Sequence, residues 1–439
     1  MINKRRQFFI CLFFILVTTL SILTFLDFRN RNISPIIPAS TKASLLDSSL
    51  ALPSQQITDQ ASNSSSLIEE YPETKSKIIE EEKQPEPMIS SRVIDYRSKI
   101  APLNQLVRHL FNIESVPFAK ALAFSPDGKE MWTTLLSNKR RGVSVFLSST
   151  GQKIADIDLA GKGGVEVIFS ADGEKAYVSQ METGKIFEID TQSKKIARVF
   201  FSQGIWTKVL ALSFDEKTLF ASNWSSNDVS VINLESGEVL YRLSTVDTPR
   251  GLYPTEDGKT LYVAGFQDGE IEKINLETKE SQVIFKSGGA MRHIVADEEK
   301  GILYGSDMGR DVIWKASMEN DEVKKFVATD HNPNTIVLSP DKRILFVSSR
   351  GINASATNYY VPGPEWGSIL LFDTETGEIL DAIVAGNQPT ALDISPDGQL
   401  LVFSDFLDAR LEVFAIPSFD ILKEGEGGRS NIYQKELRK

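Results

Sequence analysis

From about residue 105 onward, apolar and polar positions alternate with a period of two, in short runs punctuated by Ser, Pro, Asp and Gly. The clearest copy is residues 388–398, QPTALDISPDG, where Ala391, Leu392 and Ile394 climb into a Ser-Pro-Asp-Gly turn. A second run follows at 400–404 and a third at 411–415. Pro at the second turn position presets φ, Asp can accept from its own backbone, and Gly takes the positive φ that closes the hairpin. Each copy therefore reads as an antiparallel meander.

The turn recurs at Ser125, Ser170, Ser213, Thr255, Ala296, Ser339 and Ser395, with successive spacings of 45, 43, 42, 41, 43 and 56 residues. Second strands carry LYV-like cores (Tyr177, Phe220, Tyr262, Leu303, Phe346), and third strands follow, as at 143–147, 229–233 and 369–372. Fourth strands are reached through tight Ser-Thr-Gly, Glu-Ser-Gly and Glu-Thr-Gly turns. A strand-rich period of 40–45 residues predicts an all-β seven-bladed β-propeller of four-stranded antiparallel blades, over residues 95–422. The seventh unit stops at Pro417 without a fourth strand, while residues 106–113 precede the first unit as a surplus strand. Pairing the two would close the ring and hide both open edges, so closure of the last blade by the N-terminal strand is expected. His109 reads as an ordinary residue of that strand.

The start of the chain has a different pattern. Lys4, Arg5 and Arg6 precede an uncharged apolar run from Phe8 to Leu26. In a helix, such a run spans roughly 28 Å, near the thickness of a bilayer core. No small-x-small cleavage site follows directly, so residues 1–28 read as a short cytoplasmic stub and an uncleaved transmembrane signal-anchor. The positive-inside rule places the N-terminus in the cytoplasm. The rest would face the periplasm or cell exterior from a single-pass anchor in the cell inner membrane. Residues 29–94 are rich in Ser, Glu, Lys, Pro and Gln and read as a flexible, disordered linker. Residues 423–439 read as a charged tail.

Composition narrows the function classes. A formal net charge of −11 argues against a general nucleic-acid binder. The single cysteine, Cys11, excludes an intrachain disulfide, and no zinc or haem-attachment spacing occurs. The expected partners are the cytoplasmic membrane, through the N-terminal helix, and an envelope protein or a small polar or anionic ligand. No cofactor or metal is expected.

The repeated SPDG, LYV, VSVID-like and TGE pattern, best in residues 213–238 and 395–414, resembles the YVTN family of bacterial seven-bladed propellers, related in fold to the lactonase and haem d1 propellers. The resemblance covers about residues 105–418 and implies the fold; it says little about activity, since many functions are grafted onto propellers.

Function is expected on the face opposite the uniform SPDG and ETG turns, where the connections vary. Inter-blade connections there carry Trp206, Lys208, Arg250, Arg292 with His293, Asn332 with Asn334, and Gln388. Loops after second strands carry Asn223 with Trp224, Asp307 with Arg310, Arg350, and Asp405 with Asp408. Such a mixture suits a polar or anionic ligand held by bidentate contacts and stacking, or else a satisfied network plugging the channel. An insertion at 351–367 adds Tyr359, Tyr360 and Trp366 as a lid, a contact loop or a decoration. The lactonase likeness would make His293, with Arg292, a general base for lactone hydrolysis. The haem d1 likeness would make His293 or His331 an axial ligand, without an accompanying electron-donating module. Calcium on Asp307, Asp405 and Asp408 lacks the oxygen-ligand spacing of a known loop.

Overall fold

The computed structural model describes residues 88–89, 106–136, 142–353, 360–363 and 365–425. The expected signal-anchor, nearly all of the linker and the end of the tail lie outside these residues. Among the described residues, no helix is long and apolar enough to cross a membrane. Within the range assigned to the linker, Met88–Ile89 forms a two-residue strand that pairs in parallel with Glu365–Trp366.

Seven four-stranded antiparallel sheets make the propeller. Blades 1 to 6 each use four consecutive long strands, from Ala119–Phe124 in blade 1 to Ile379–Val384 in blade 6. Blade 7 takes Pro389–Ile394, Leu400–Asp405 and Arg410–Ala415 and is completed by Arg108–Glu114, which pairs Ile113 with Leu411 and Asn112 with Glu412. The N-terminal strand thus closes the ring as its edge chemistry demands.

The turn face repeats one device. In six blades the Ser or Thr that opens the turn donates to the Asp two residues on, as Ser125 does to Asp127 (2.7 Å) and Ser395 to Asp397 (2.6 Å). The same hydroxyl accepts the N–H five residues ahead, from Glu130 (3.0 Å) in blade 1 to Leu400 (2.8 Å) in blade 7. Neighbouring turns then nest. A Cβ at Gly128 would meet Pro396 at 3.5 Å, and one at Gly173 would meet Pro126 at 3.4 Å, so each turn glycine sits against the proline of the preceding blade. In blade 5 the turn closes at Glu298, whose carbonyl accepts from Gly301 N (3.0 Å), and not at Ala296, which lies inside the first strand, Met291–Asp297.

The core is divided among the blade interfaces. Tyr304, Val327, Leu345 and Phe372 fill the gap between blades 5 and 6, and Trp132, Val145, Val178 and Phe187 that between blades 1 and 2. Ile113, Leu122, Met131 and Val413 seal the joint between blades 7 and 1. Seven slabs of this kind leave the first strands of all blades around a central axis.

After blade 7 the chain forms a short helix, Phe419–Gly425, which begins inside the expected propeller range and runs into the expected tail. Leu422 is buried against blades 6 and 7, and Lys423 Nζ reaches Asp373 (2.5 Å) and Glu378 (2.9 Å). Arg343 lies 3.7 Å from the centre of the Phe419 ring and pairs with Asp420 at 2.9 Å.

Candidate functional site

The first strand of a blade is the sheet edge nearest the axis, and in six blades its pairing slips near the start. The slips lie between Ala119 and Leu122, Thr207 and Leu210, Pro249 and Leu252, Met291 and His293, Pro333 and Ile336, and Pro389 and Leu392. An irregularity of this kind releases a residue from the ladder and re-aims its side chain. The residues released at the matching position are Lys120, Lys208, Arg250, Arg292, Asn334 and Thr390.

Second-strand hydroxyls hold these slips in shape. Backbone N–H groups beside the slip donate to Ser or Thr, as in Ala121 to Thr134, Val209 to Ser222, His293 to Ser306 and Ala391 to Ser404, all at 3.0–3.1 Å. Carbonyls at the slip accept from the preceding blade: Ser179 donates to Lys208 O (2.5 Å), Ser222 to Arg250 O (3.3 Å) and Ser306 to Asn334 O (2.8 Å). Groups that the ladder abandons are thus paired, and the ring residues are fixed at the backbone.

One step above, the residue entering the first strand is left-handed in five blades: Phe118 (φ 55°), Trp206 (61°), Thr248 (53°), Asn332 (59°) and Gln388 (57°). Its carbonyl accepts the N–H of the residue after the second strand, as between Trp206 and Trp224 (3.0 Å) or Asn332 and Arg350 (3.1 Å). This pairing builds a collar. On one side Trp224 packs on Phe266 (4.8 Å between ring centres), with Lys208 Nζ 3.3 Å from the centre of Trp224 and 5.7 Å from that of Trp206. Elsewhere on the collar Phe118 packs on Phe406 (5.3 Å), and Lys120 Nζ lies 5.5 Å from the centre of Phe406.

Electrostatics shows that the ring side chains converge. The Lys120 ammonium is held well below its ordinary pKa by burial and then by Arg292, Arg250, Arg350 and Lys208. Blade 1 and blade 5 are not neighbours, so Lys120 and Arg292 can interact only across the channel. Burial, then Arg250 and Arg292, likewise lower Lys208. Two acids share the space. Burial pushes Glu166 up to about 7 against the pull of Arg250, Arg292 and Lys120, and it pushes Asp393 up to about 7 even though Asp393 accepts from Phe124 N at 2.8 Å. His293, beside Arg292 and Arg250, is lowered to about 4, chiefly by burial, and its Nδ1 lies 3.0 Å from Ile336 O. Burial and then Arg292 and Arg250 make this imidazole a weak base, against the opposite pull of the Ile336 carbonyl.

Of the residues singled out from sequence, the channel therefore gathers Lys208, Arg250, Arg292, His293 and Arg350, with Asn334 on the same ring. Arg350 donates to Gln388 Oε1 just beneath the collar. Trp206 stays exposed and Trp224 half-buried at the mouth. Others serve the loops. Asp307 accepts from Ala290 N (2.8 Å) and Trp314 Nε1 (3.0 Å), and Asp405 accepts from Gly386 N (2.8 Å) and Arg410 Nε (2.9 Å). Asp408 holds Asn387 N at 2.7 Å, Arg310 reaches Gly288 O at 3.1 Å, and Asn332 Nδ2 reaches Gly351 O at 2.6 Å. These groups brace connections and do not enter the ring. Among the described residues, no group of three or more His, Cys, Asp or Glu is arranged to hold a metal ion.

The insertion divides the same way. Tyr360 reaches over to Phe118 (5.3 Å) and Phe406 (6.2 Å) at the collar. Trp366 lies at the insertion's base, next to Glu365, which pairs with His331 Nδ1 at 2.7 Å. Tyr359 lies outside the described residues. Sequence reasoning passed over Lys120, Glu166 and Asp393. The signal for Lys120 was available, since Lys120, Lys208, Arg250, Asn334 and Thr390 all stand five residues before their turn residue.

No family model matches the chain. Antigen Lp49 of Leptospira interrogans serogroup Icterohaemorrhagiae serovar copenhageni (strain Fiocruz L1-130) is 32% identical over 264 residues. The match spans 58% of this chain and 58% of that protein. Among solved structures, Kuenenia stuttgartiensis hydrazine synthase superposes with a TM-score of 0.59 at 16% identity, over 69% of this chain and 96% of that one. At that identity the likeness concerns the propeller fold alone.

Proposed function

We propose that this β-propeller is a membrane-tethered, extracytoplasmic binding module that engages its ligand or partner through the collar face. The observation that carries the reading is the contrast between the two faces. On the turn face, side chains satisfy each other in the same way from blade to blade. The collar face carries exposed Trp206, Ile205 and Tyr360 around a set of converging cations. Exposed aromatics on a rigid, locally strained frame are what recognition surfaces use. The basic start and the apolar run Phe8 to Leu26 support the tether, and the charge bias across it supports an extracytoplasmic propeller.

The test compares the two faces in the intact, membrane-bound protein by in-cell crosslinking. The double variant Trp206→Ala, Tyr360→Ala should lose the crosslinked partner. Phe214→Ser, on the turn face and 71% exposed, should keep it. Loss in the second variant with retention in the first would place recognition on the wrong face of this account. Protease protection in intact cells tests the topology, and a protected propeller in spheroplasts would contradict the tether.

A further inference from the structure

We propose that the blade 3 side of the collar is a saccharide site, where one ring of an acidic glycan stacks on Trp206 and Trp224. This deepens the reading of the collar face as the binding face, and rests on it only for the choice of face.

Among the five blades with a left-handed entry residue, blade 3 alone carries Trp at both collar positions, before the first strand and after the second. Trp206 is held at φ 61°, a conformation unfavourable for a bulky residue, and it is nonetheless 44% exposed. Backbone strain that keeps an apolar ring in water points to a ring used for contact. The two loops are laced together. Trp224 N donates to Trp206 O and Ser225 N to Ile205 O, both at 3.0 Å, and Ile205 N donates to Ser226 Oγ at 3.0 Å. Beneath them runs a buried chain of hydrogen bonds. Ser202 meets Thr207 (2.6 Å), Thr207 donates to Asn223 Oδ1 (2.8 Å), and Asn223 Nδ2 donates to Asp228 (2.7 Å) and Ser230 (2.8 Å). A Cβ at Gly204 would meet the Asn223 side chain at 2.0 Å, so only glycine lets the loop close over this chain. The two indoles are thus fixed before any ligand arrives.

Three features set the chemistry of the ligand. Indole faces offer flat apolar area, which the C–H face of a pyranose ring covers. Lys208 Nζ lies 3.3 Å from the centre of Trp224 and 5.7 Å from that of Trp206, and it pairs with no acid among the described residues. From there it reaches an acidic substituent on a ring stacked beside it. The acids of these loops are engaged elsewhere, Asp228 with Arg242 (2.7 Å) and Asp247 with Asn227 (2.7 Å). The rim is polar, with Gln203, Ser225 and Gln267 exposed for hydroxyl groups, so a purely aromatic ligand would leave it unused.

The experiment is calorimetric titration of the full-length protein at low ionic strength, in a detergent without a sugar head group, with tryptophan emission followed in parallel. The probes are trigalacturonate, maltotriose and tricarballylate, which supply rings with acid, rings without acid and acid without rings. Trigalacturonate should bind saturably and shift the emission, and tricarballylate should do neither. Maltotriose should bind about 5-fold more weakly than trigalacturonate. Trp206→Asn installs the residue that blade 6 carries at this position, at φ 59°, so it should melt no lower than wild type. It should nevertheless weaken binding by about 10-fold, and Trp206→Tyr should keep most of the affinity. Lys208→Met should bring trigalacturonate down to the affinity of maltotriose and leave maltotriose unchanged. Phe214→Ser, on the turn face, should bind as wild type. No saturable binding of trigalacturonate, equal affinity in wild type and Trp206→Asn, or equally tight binding of tricarballylate overturns the proposal. Failure here with intact, collar-dependent crosslinking leaves the binding face standing without its saccharide site. Binding here with crosslinking that ignores the collar does the reverse.

Discussion

Asp393 and Thr248 show how single residues record the demands of the channel. The folded state raises the Asp393 pKa to about 7, above its ordinary 3.8, so between those values the folded chain holds a proton that the unfolded chain releases. Its contribution is complete at low pH and is lost as pH rises toward 7. His293 acts oppositely: its pKa falls from 6.5 to about 4, so its contribution is present above 6.5 and lost toward 4. Asp393→Asn keeps an acceptor for Phe124 N–H and removes the titration. Its melting temperature relative to wild type should therefore climb steadily from pH 4.5 to 7.5, and a gap that does not change with pH would refute this. Thr248 is β-branched yet left-handed (φ 53°), a conformation that Asn tolerates better. Thr248→Asn should stabilise by up to ~1 kcal/mol in denaturant melts, and a loss of stability would show that the Thr hydroxyl matters more than the strain. Lys208, Arg250 and Arg292 were legible in sequence because they follow inter-blade connections. Lys120 was passed over, since Ala119, Lys120, Ala121 and Leu122 read as ordinary alternation; only its place five residues before Ser125, matching Lys208 and Arg250, marks it. Asp307 and Asp405 show the converse: each is the last residue of its second strand, and the loop N–H groups it accepts from are brought to it only by the fold.

Strands were the most legible elements, because period-two alternation and Ser-Pro-Asp-Gly turns act locally and need no tertiary context. The closing strand Arg108–Glu114 was legible for a global reason, one strand missing at one end and one surplus at the other. Truncation to begin at residue 115 removes Ile113 from its core and bares the edge of Arg410–Ala415. The melting temperature should fall by on the order of 10 °C, and self-association should rise. An unchanged, monomeric melt would contradict closure. Phe403, fully buried between blades 6 and 7, should cost about 3–5 kcal/mol on substitution by Ala, measured by urea unfolding. The helix Phe419–Gly425 was hidden: seven residues carry little periodicity, and its hold on blade 6 through Lys423 and Arg343 is tertiary. The drift of the blade 5 turn from Ala296 to Glu298 is tertiary too, since the strand Met291–Asp297 carries its pairing through Ala296.

At the scale of the whole molecule, a net charge of −11 is a statement about solubility and long-range fields, and it does not say which charges meet at the axis. Closing seven blades on one axis brings cations from blades 1, 3, 4, 5 and 6 into range of one another, a juxtaposition that exists only in the finished ring. Spacing predicts the ring; which side chains meet at its centre follows from where each first strand slips. The most direct test of this account is oxidative crosslinking of a variant carrying Asn112→Cys and Glu412→Cys, positions that face each other across the closing ladder of the last blade. The account predicts a disulfide that forms readily within one molecule and raises the melting temperature. No disulfide, or one that forms only between molecules, would contradict ring closure.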